Sequence, residues 1–320
     1  MKIFAPSFYK DFKCLADKCG DSCCIGWEIN IDREREVLYA RLGGEIGEAL
    51  RGAVAPSKDG ACAHFILGDG GRCPLLTAEG LCRLICLGGE EMLTEICREH
   101  PRYYNLYSDI AEVGLGLSCE AAARLVLNSD LNGFLNRYET DTTAEHDPET
   151  PSVGALLPAR DKLFELLCDR GRTAEETLAA IFSELGGRIP TPEEIRALLS
   201  ELEGLDDGFL EAAAEGCEKA EREPESFAKF YADFDAAWGR KILASGIHRH
   251  FLDAALFGSG VGGGAVAAVL SLSVALYLFY SDPSLTEETA VRATVLASKN
   301  IEYSEYNVET VIDFGDSLLA

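Results

Sequence analysis

The sequence predicts a mainly α protein in two parts, a cysteine-rich N-terminal domain with minor β content followed by an α-helical domain. Three observations lead there. Ten of the twelve cysteines lie within the first 119 positions, and only Cys168 and Cys217 follow. Apolar residues recur at helical spacing through most of the chain, whereas clean alternation is confined to Trp27–Asp32. A stretch crowded with Asn, Asp, Thr, Pro and Glu then interrupts both patterns. At 320 residues the chain is long enough for about two domains. The expected division is a cysteine-rich domain over 1–128, a linker over 129–155 and a helical domain over 156–320.

In chain order, Tyr9, Phe12 and Leu15 recur at helical spacing before the cysteines begin. Trp27–Asp32 alternates apolar and polar, as a half-buried strand does. Asp32 suits the N-cap of a helix from Arg33 to about Leu42, stopped by Gly43-Gly44. Residues 45–60 read as a short helix and a polar loop. Cys73–Leu76 and Gly80–Cys82 flank a turn, Cys82–Leu87 is helical, and Gly88-Gly89 breaks it. Glu90–Glu99 reads as a further helix ended by Pro101, and Ser118 as the N-cap of one running to Leu127. Beyond the linker, Thr173 with Glu176 and Thr191 with Glu194 form capping boxes, the second with Pro192 at the first helical position. Gly171 and Gly186-Gly187 suit helix C-termini, and Ser284 with Glu287 opens a last helix. Phe227, Phe230, Tyr231, Phe234 and Trp238 share one helix face, the pattern of a core stripe.

The formal net charge is −25, which disfavours nucleic acid and anionic membranes as partners and tolerates a basic one. The first ten residues hold no apolar signal segment, so the expected location is the cytoplasm, where thiols stay reduced. The uncharged run 254–281 reads as a buried helix rather than a membrane span, because glycines interrupt it and its strongly apolar part is short. Gly258–Gly264 resembles a nucleotide loop, but no strand precedes it, and a glycine-rich entry to a packed helix is the better reading.

Reduced, clustered thiols point to metal binding. The first four are spaced Cys14-x4-Cys19-x3-Cys23-Cys24, with Cys73, Cys82, Cys97 and Cys119 much later. No C-x2-C zinc knuckle occurs, and the radical adenosylmethionine signature begun by Cys19-x3-Cys23 fails at Gly26. Such irregular spacing fits a metal or cluster pocket assembled from several loops. Adjacent Cys23 and Cys24 are expected to point apart, one ligating and the other packing or serving a second metal. Cys82 and Cys86 lie four apart and could share a site, and Cys119 stands at a helix start, where thiolates are favoured. His64 and His100 are further possible ligands, though His100 also suits a helix end. Cys62, Cys168 and Cys217 read as small packed hydrophobes, and His248–His250 as a charge complement at a helix C-terminus.

Several blocks taken together carry a resemblance. Phe12-Lys-Cys14, Cys19-x3-Cys23-Cys24-x-Gly26-Trp27-x-Ile29-x-Ile31-Asp32, Cys73-Pro74-Leu75-Leu76-x4-Leu81-Cys82, Cys97-x3-Pro101-Arg102 and Leu117-Ser118-Cys119 follow the order seen in the flagellin lysine-N-methylase family. Near the end, Lys299-Asn-Ile-Glu302-Tyr303 is similar to a family segment that usually reads Arg-x-x-Glu-His. The resemblance implies an iron–sulfur cluster, [4Fe–4S] by preference with zinc as the alternative. It also implies methyl transfer from S-adenosylmethionine to lysine side chains of flagellin or another lysine-bearing protein. Cys14, Cys19, Cys23, Cys24, Cys73, Cys82, Cys97 and Cys119 match the family's cysteines, Cys62 and Cys86 are extras, and Tyr303 replaces the family's His. Tyr103 and Tyr104 are candidates for handling the amine. A reading of a different class is a zinc- or cluster-binding module without catalysis.

Overall fold

The computed structural model describes residues 2–58, 61–134, 138–141, 150–205, 208–252 and 286–319. By its internal contacts the chain divides into two compact units. One is Lys13–Arg102, and the other joins Met1–Phe12 to Tyr103–Ala320. The described residues are mainly helical with short strands, as the composition and periodicity predict.

The Lys13–Arg102 unit is built on a small antiparallel sheet. In chain order its strands are β2 (Asn30–Ile31), β3 (Val54–Ala55) and β4 (Ala63–Phe65), and in space they run β2-β4-β3, with Asn30 opposite His64 and Val54 opposite Phe65. Only Asn30–Ile31 of the expected strand Trp27–Asp32 pairs in this sheet. Asp32 does cap the helix Arg33–Tyr39, its Oδ1 accepting from the Arg35 amide at 3.0 Å. Its Oδ2 accepts from the Glu95 amide at 2.9 Å, so one carboxylate holds the starts of two helices. The expected helix Glu90–Glu99 is instead a 3₁₀ turn, Glu90–Met92, and a separate helix, Glu95–Glu99, capped by Thr94. Tyr9 and Leu15 fall in or beside two 3₁₀ turns rather than one helix. Ile29, Ile31, Phe65, Leu75 and Leu84 form the core.

The other unit contains a four-stranded sheet ordered β5-β6-β1-β7. Its strands are β1 (Lys2–Ala5), β5 (Arg102–Leu106), β6 (Ile110–Leu115) and β7 (Tyr138–Asp141). β1 runs parallel to β6, Lys2 opposite Ile110, and antiparallel to β7, Ala5 opposite Tyr138. This sheet is missed by the sequence reading, and β7 lies inside the expected linker. All six residues of β6 are buried, so no alternation marks it.

Helices supply the rest of this unit. The two capping boxes form as expected, with Thr173 accepting from the Glu176 amide at 3.2 Å and Thr191 from that of Glu194 at 3.3 Å. Gly186, at φ +76°, closes Ala174–Leu185, a left-handed position open to glycine without strain. Asp169 rather than Gly171 ends the helix Leu157–Cys168. The aromatic stripe is core, with Tyr231 and Phe234 buried and Trp238 edge-on to Phe234 at 6.2 Å. A wider π turn, Asp235–Gly239, then leads into Arg240–His250, and there Arg240 is held by Asp235 at 2.8 Å and donates to the carbonyls of Leu167, Asp169 and Arg172. Thr286 caps the helix Glu287–Glu302. Ser284, the glycine loop and the run 254–281 lie outside the described residues. Among the described residues no helix is long and apolar enough to cross a membrane.

Candidate functional site

In the Lys13–Arg102 unit, two loops are tied together by backbone. The Gly26 amide donates to the Gly71 carbonyl at 3.1 Å, Ile25 bridges Arg72, and the Cys73 amide donates to the Cys24 carbonyl at 2.8 Å. The approach is close enough that a Cβ on Gly71 would sit 3.1 Å from the Gly26 nitrogen, and both glycines have positive φ, +70° and +95°. This pairing sets Cys24 beside Cys73. Leu76 bridges Cys82, which stands at the start of the helix Arg83–Gly88, and Cys97 rides on the helix held by Thr94 and Asp32.

Cys24, Cys73, Cys82 and Cys97 are thus near enough to interact electrostatically: Cys73 feels Cys24 and Cys82, Cys82 feels Cys24 and Cys86, and Cys97 feels Cys24, Cys73 and Cys82. Burial pushes the Cys73 thiol up to about 11 and that of Cys97 up to about 12, and Cys82 is raised for the same reason. Cys24 goes the other way, to about 7, because the Cys23 side chain hydrogen-bonds to it, aided by Ser22 and the Arg72 charge against the cost of burial. The Cys23 and Cys24 side chains are therefore within hydrogen-bonding reach of each other. Buried thiols that resist ionisation alone are stabilised as thiolates by a cation, so the donor chemistry suits a thiophilic metal or cluster. Among the described residues, however, no three His, Cys, Asp or Glu side chains already stand in metal-holding geometry.

The remaining candidates are placed as follows. Cys14 is exposed and accepts from the Ala16 amide at 3.4 Å, and the Cys19 thiol donates to the Asp21 carbonyl at 3.2 Å. Cys62 and Cys86 are exposed, so Cys62 is not the packed hydrophobe that the sequence suggests. Cys119 belongs to the other unit, where it, not Ser118, takes the N-cap position of the helix Glu120–Asn128. Cys217 is buried in the core and Cys168 ends a helix, as packed hydrophobes would. The His64 ring lies 3.3 Å from the Cys62 carbonyl, and His100 ends its helix with its ring 5.9 Å from that of Trp27. The Trp27 indole donates to the Cys23 carbonyl at 2.7 Å, which fixes the cysteine loop.

The unit containing the four-stranded sheet has its own polar centre, in which Tyr103, His248–His250 and Glu302, each noted separately in the sequence, join Glu112 and Arg160, which were not. Glu112 on β6 forms a fully buried ion pair with Arg160, and His248 Nε2 lies 3.1 Å from the Val113 carbonyl. Tyr103 lies against Gly114, with no room for a Cβ between them. The Arg249 guanidinium covers the Tyr103 ring at 4.8 Å and pairs with Glu302 at 2.9 Å. Burial raises the Tyr103 hydroxyl well above its ordinary value. Burial also raises the Glu302 carboxyl, but Arg249 and His250 outweigh it and hold it below the usual range. Leu115, Leu117, Ile242, Arg249, His250 and Glu302 help line a partly open cleft whose empty space, open solvent included, is about 400 Å³. His248–His250 do lie in the last turn of the helix Arg240–His250, as the sequence suggests, but His248 is buried and Arg249 is engaged by Glu302. The available signal was the single acid Glu112 inside the apolar run Ile110–Leu117. Tyr104 is exposed, and the Tyr303 hydroxyl donates to Ser118 at 3.1 Å.

Comparison with known proteins gives a consistent direction. The chain is 27% identical over 172 residues, 52% of its length, to proteins named lysine-N-methylase from Salmonella choleraesuis and Salmonella typhimurium. That match spans 41% of the relatives' own length. It is also 27% identical over 131 residues to the flagellar biosynthetic protein FliU of Salmonella muenchen, covering 39% of this chain and 77% of that protein. No family model matches the chain, and no solved structure does.

Proposed function

We propose that this chain is a cytoplasmic protein lysine methyltransferase that uses S-adenosylmethionine to methylate flagellin and holds a [4Fe–4S] cluster on its cysteines. The likeness to proteins named lysine-N-methylase carries this reading. The likeness to a flagellar biosynthetic protein supports flagellin as the substrate. The net charge of −25 would draw a lysine-bearing surface in and keep nucleic acid away.

Cys24, Cys73, Cys82 and Cys97 would hold the cluster, and Cys14, Cys19, Cys23 and Cys119 are the other cysteines that the family resemblance assigns to it. When bound, such a cluster supplies a redox-capable iron centre and the positive charge that buried thiolates need. The chain's own part is to keep the sulfurs dry and together. The Gly26–Gly71 contact fixes Cys24 against Cys73, Asp32 and Thr94 fix the helix bearing Cys97, and Arg72 supplies one compensating charge near Cys24. Methylation itself requires a neutral lysine amine. Its nitrogen forms the new N–C bond as the donor's S–C bond breaks, releasing S-adenosylhomocysteine and a proton.

A second reading, a zinc- or cluster-binding module without catalysis, is favoured by one fact: the match spans only 41% of the relatives' length. Anaerobic purification with iron, sulfide and zinc analysis, followed by mass spectrometry of flagellin incubated with S-adenosylmethionine, separates the two. Iron and sulfide in equal amounts, lost in Cys73→Ser, together with methylated flagellin lysines, are expected. Colourless zinc protein and unmodified flagellin would establish the module instead.

A further inference from the structure

The cleft beside the four-stranded sheet carries opposite charges side by side at a partly buried position. Arg249 makes one ion pair among the described residues, to Glu302 Oε2 at 2.9 Å, and its planar face lies on Tyr103. A guanidinium has five N–H donors, so this leaves most of them unused. Glu302 Oε2 also accepts from the Ser298 hydroxyl at 2.8 Å, while Oε1 has only His250 Nε2, 3.7 Å away. That contact is long, so Oε1 has capacity for a stronger hydrogen bond beside the pull of His250. The Glu302 side chain is 9% exposed and that of Arg249 26%, so a ligand reaching them leaves bulk water and gains full-strength charged hydrogen bonds. Leu115, Leu117 and Ile242 make an apolar wall beside this pair, in a cleft that opens to solvent.

A cation alone would meet Arg249, and an anion alone would meet Glu302. A ligand carrying both charges on one carbon satisfies both. We propose that the cleft binds the zwitterionic head of an α-amino acid, its carboxylate on Arg249, its ammonium on Glu302 Oε1 and its side chain along Leu115, Leu117 and Ile242. If the chain is the methyltransferase proposed above, a reading on which this donor assignment rests, the ligand is the methionyl end of S-adenosylmethionine. The other source of the same chemistry is a free amino acid such as methionine.

Calorimetric titration of the full chain, purified anaerobically, tests this without any turnover. The probes are S-adenosylhomocysteine, 5′-methylthioadenosine, which lacks the amino-acid head, and L-methionine. In the unsubstituted chain, S-adenosylhomocysteine is expected to bind roughly ten- to a hundred-fold more tightly than methylthioadenosine, the factor for losing charged hydrogen bonds. Arg249→Gln is expected to remove most of that advantage while leaving methylthioadenosine unchanged. Binding of L-methionine alone, abolished by Arg249→Gln, would keep the zwitterion site and assign it to a free amino acid. The proposal is overturned if both nucleosides bind equally to the unsubstituted chain. It is also overturned if Arg249→Gln weakens both by one factor or neither, or if no probe binds. The reading as a methyltransferase is judged separately, by methylated flagellin. Methylation that persists in Arg249→Gln with an unchanged KM for the donor sinks the site and spares the enzyme. Arg249-dependent binding with unmodified flagellin does the reverse.

Discussion

Removing one half of the Glu112–Arg160 pair should be among the most damaging single changes in the unit that contains it. Both side chains are fully buried. Besides the pair, the Arg160 guanidinium lies 5.6 Å from the Phe164 ring, and Glu112 has His248 Nδ1 at 3.9 Å. Arg160→Met keeps most of the aliphatic stem and leaves the glutamate buried without its cation. Such half-pairs cost about 3–5 kcal/mol. The intact pair is itself imperfect, because Arg160 Nε and Nη2 and Glu112 Oε2 have no hydrogen-bond partner among the described residues. Each unmet group costs about 1–3 kcal/mol. Removing both charges in Glu112→Leu/Arg160→Met should therefore restore stability or exceed the starting value, by up to about 4 kcal/mol. The chain offers a convenient probe. Its two tryptophans lie one in each unit, so a Trp27→Phe background leaves Trp238 to report on this one alone. With a urea slope of about 2–3 kcal/mol per M, Arg160→Met should lower the midpoint by roughly 1–2 M. A shift under about 0.3 M for Arg160→Met, or a double variant whose losses simply add, would show that the pair is not the buried, mutually dependent unit described.

Three further outcomes are expected. Gly114→Ala places a methyl group where the Tyr103 hydroxyl lies, and should cost about 1–3 kcal/mol by urea unfolding, with part recovered in Gly114→Ala/Tyr103→Phe. Glu194 is held down to about 2, first by Arg188 and then by the Thr191 amide. Its contribution is therefore complete above the ordinary carboxylate range and fades as pH falls through about 2, so the midpoint difference between the unsubstituted chain and Glu194→Gln should shrink steadily below about pH 4.5. Asp32→Ala frees two helix starts at once and should cost about 1–2 kcal/mol, and on the cluster proposed above it should lower the iron bound in anaerobic preparations by loosening the helix that bears Cys97.

Local features were legible in the sequence. Capping boxes at Thr173 and Thr191, the core stripe ending at Trp238 and the cap at Asp32 each depend on residues a few positions apart, whose chemistry can be read directly. The thiol pocket was legible only as a cluster of one residue type. Which cysteines meet depends on the pairing of Ile25 with Arg72 and Leu76 with Cys82, and no local rule encodes those bridges. The four-stranded sheet was missed for the same reason. Lys2–Ala5 is too short to show a period, and Ile110–Leu115 is buried on both faces, which removes the alternation that reveals a half-buried strand. Glu112 then disguises the run further by placing a charge in it. The Arg249–Glu302 contact joins two helices distant in sequence, so that the basic run at His248–His250 and the segment holding Glu302 could each be noted but not paired.

The parallel pairing of β1 with β6 sets a clock on synthesis. Residues 2–5 leave the ribosome well before their neighbour at 110–115, which follows only after the whole Lys13–Arg102 segment. At about 5–20 residues per second, the first strand waits roughly 5–20 s for its partner. During that interval the cysteine-bearing segment Lys13–Arg102 emerges in full. Any cofactor delivered then would meet its thiols before the sheet that follows has been made.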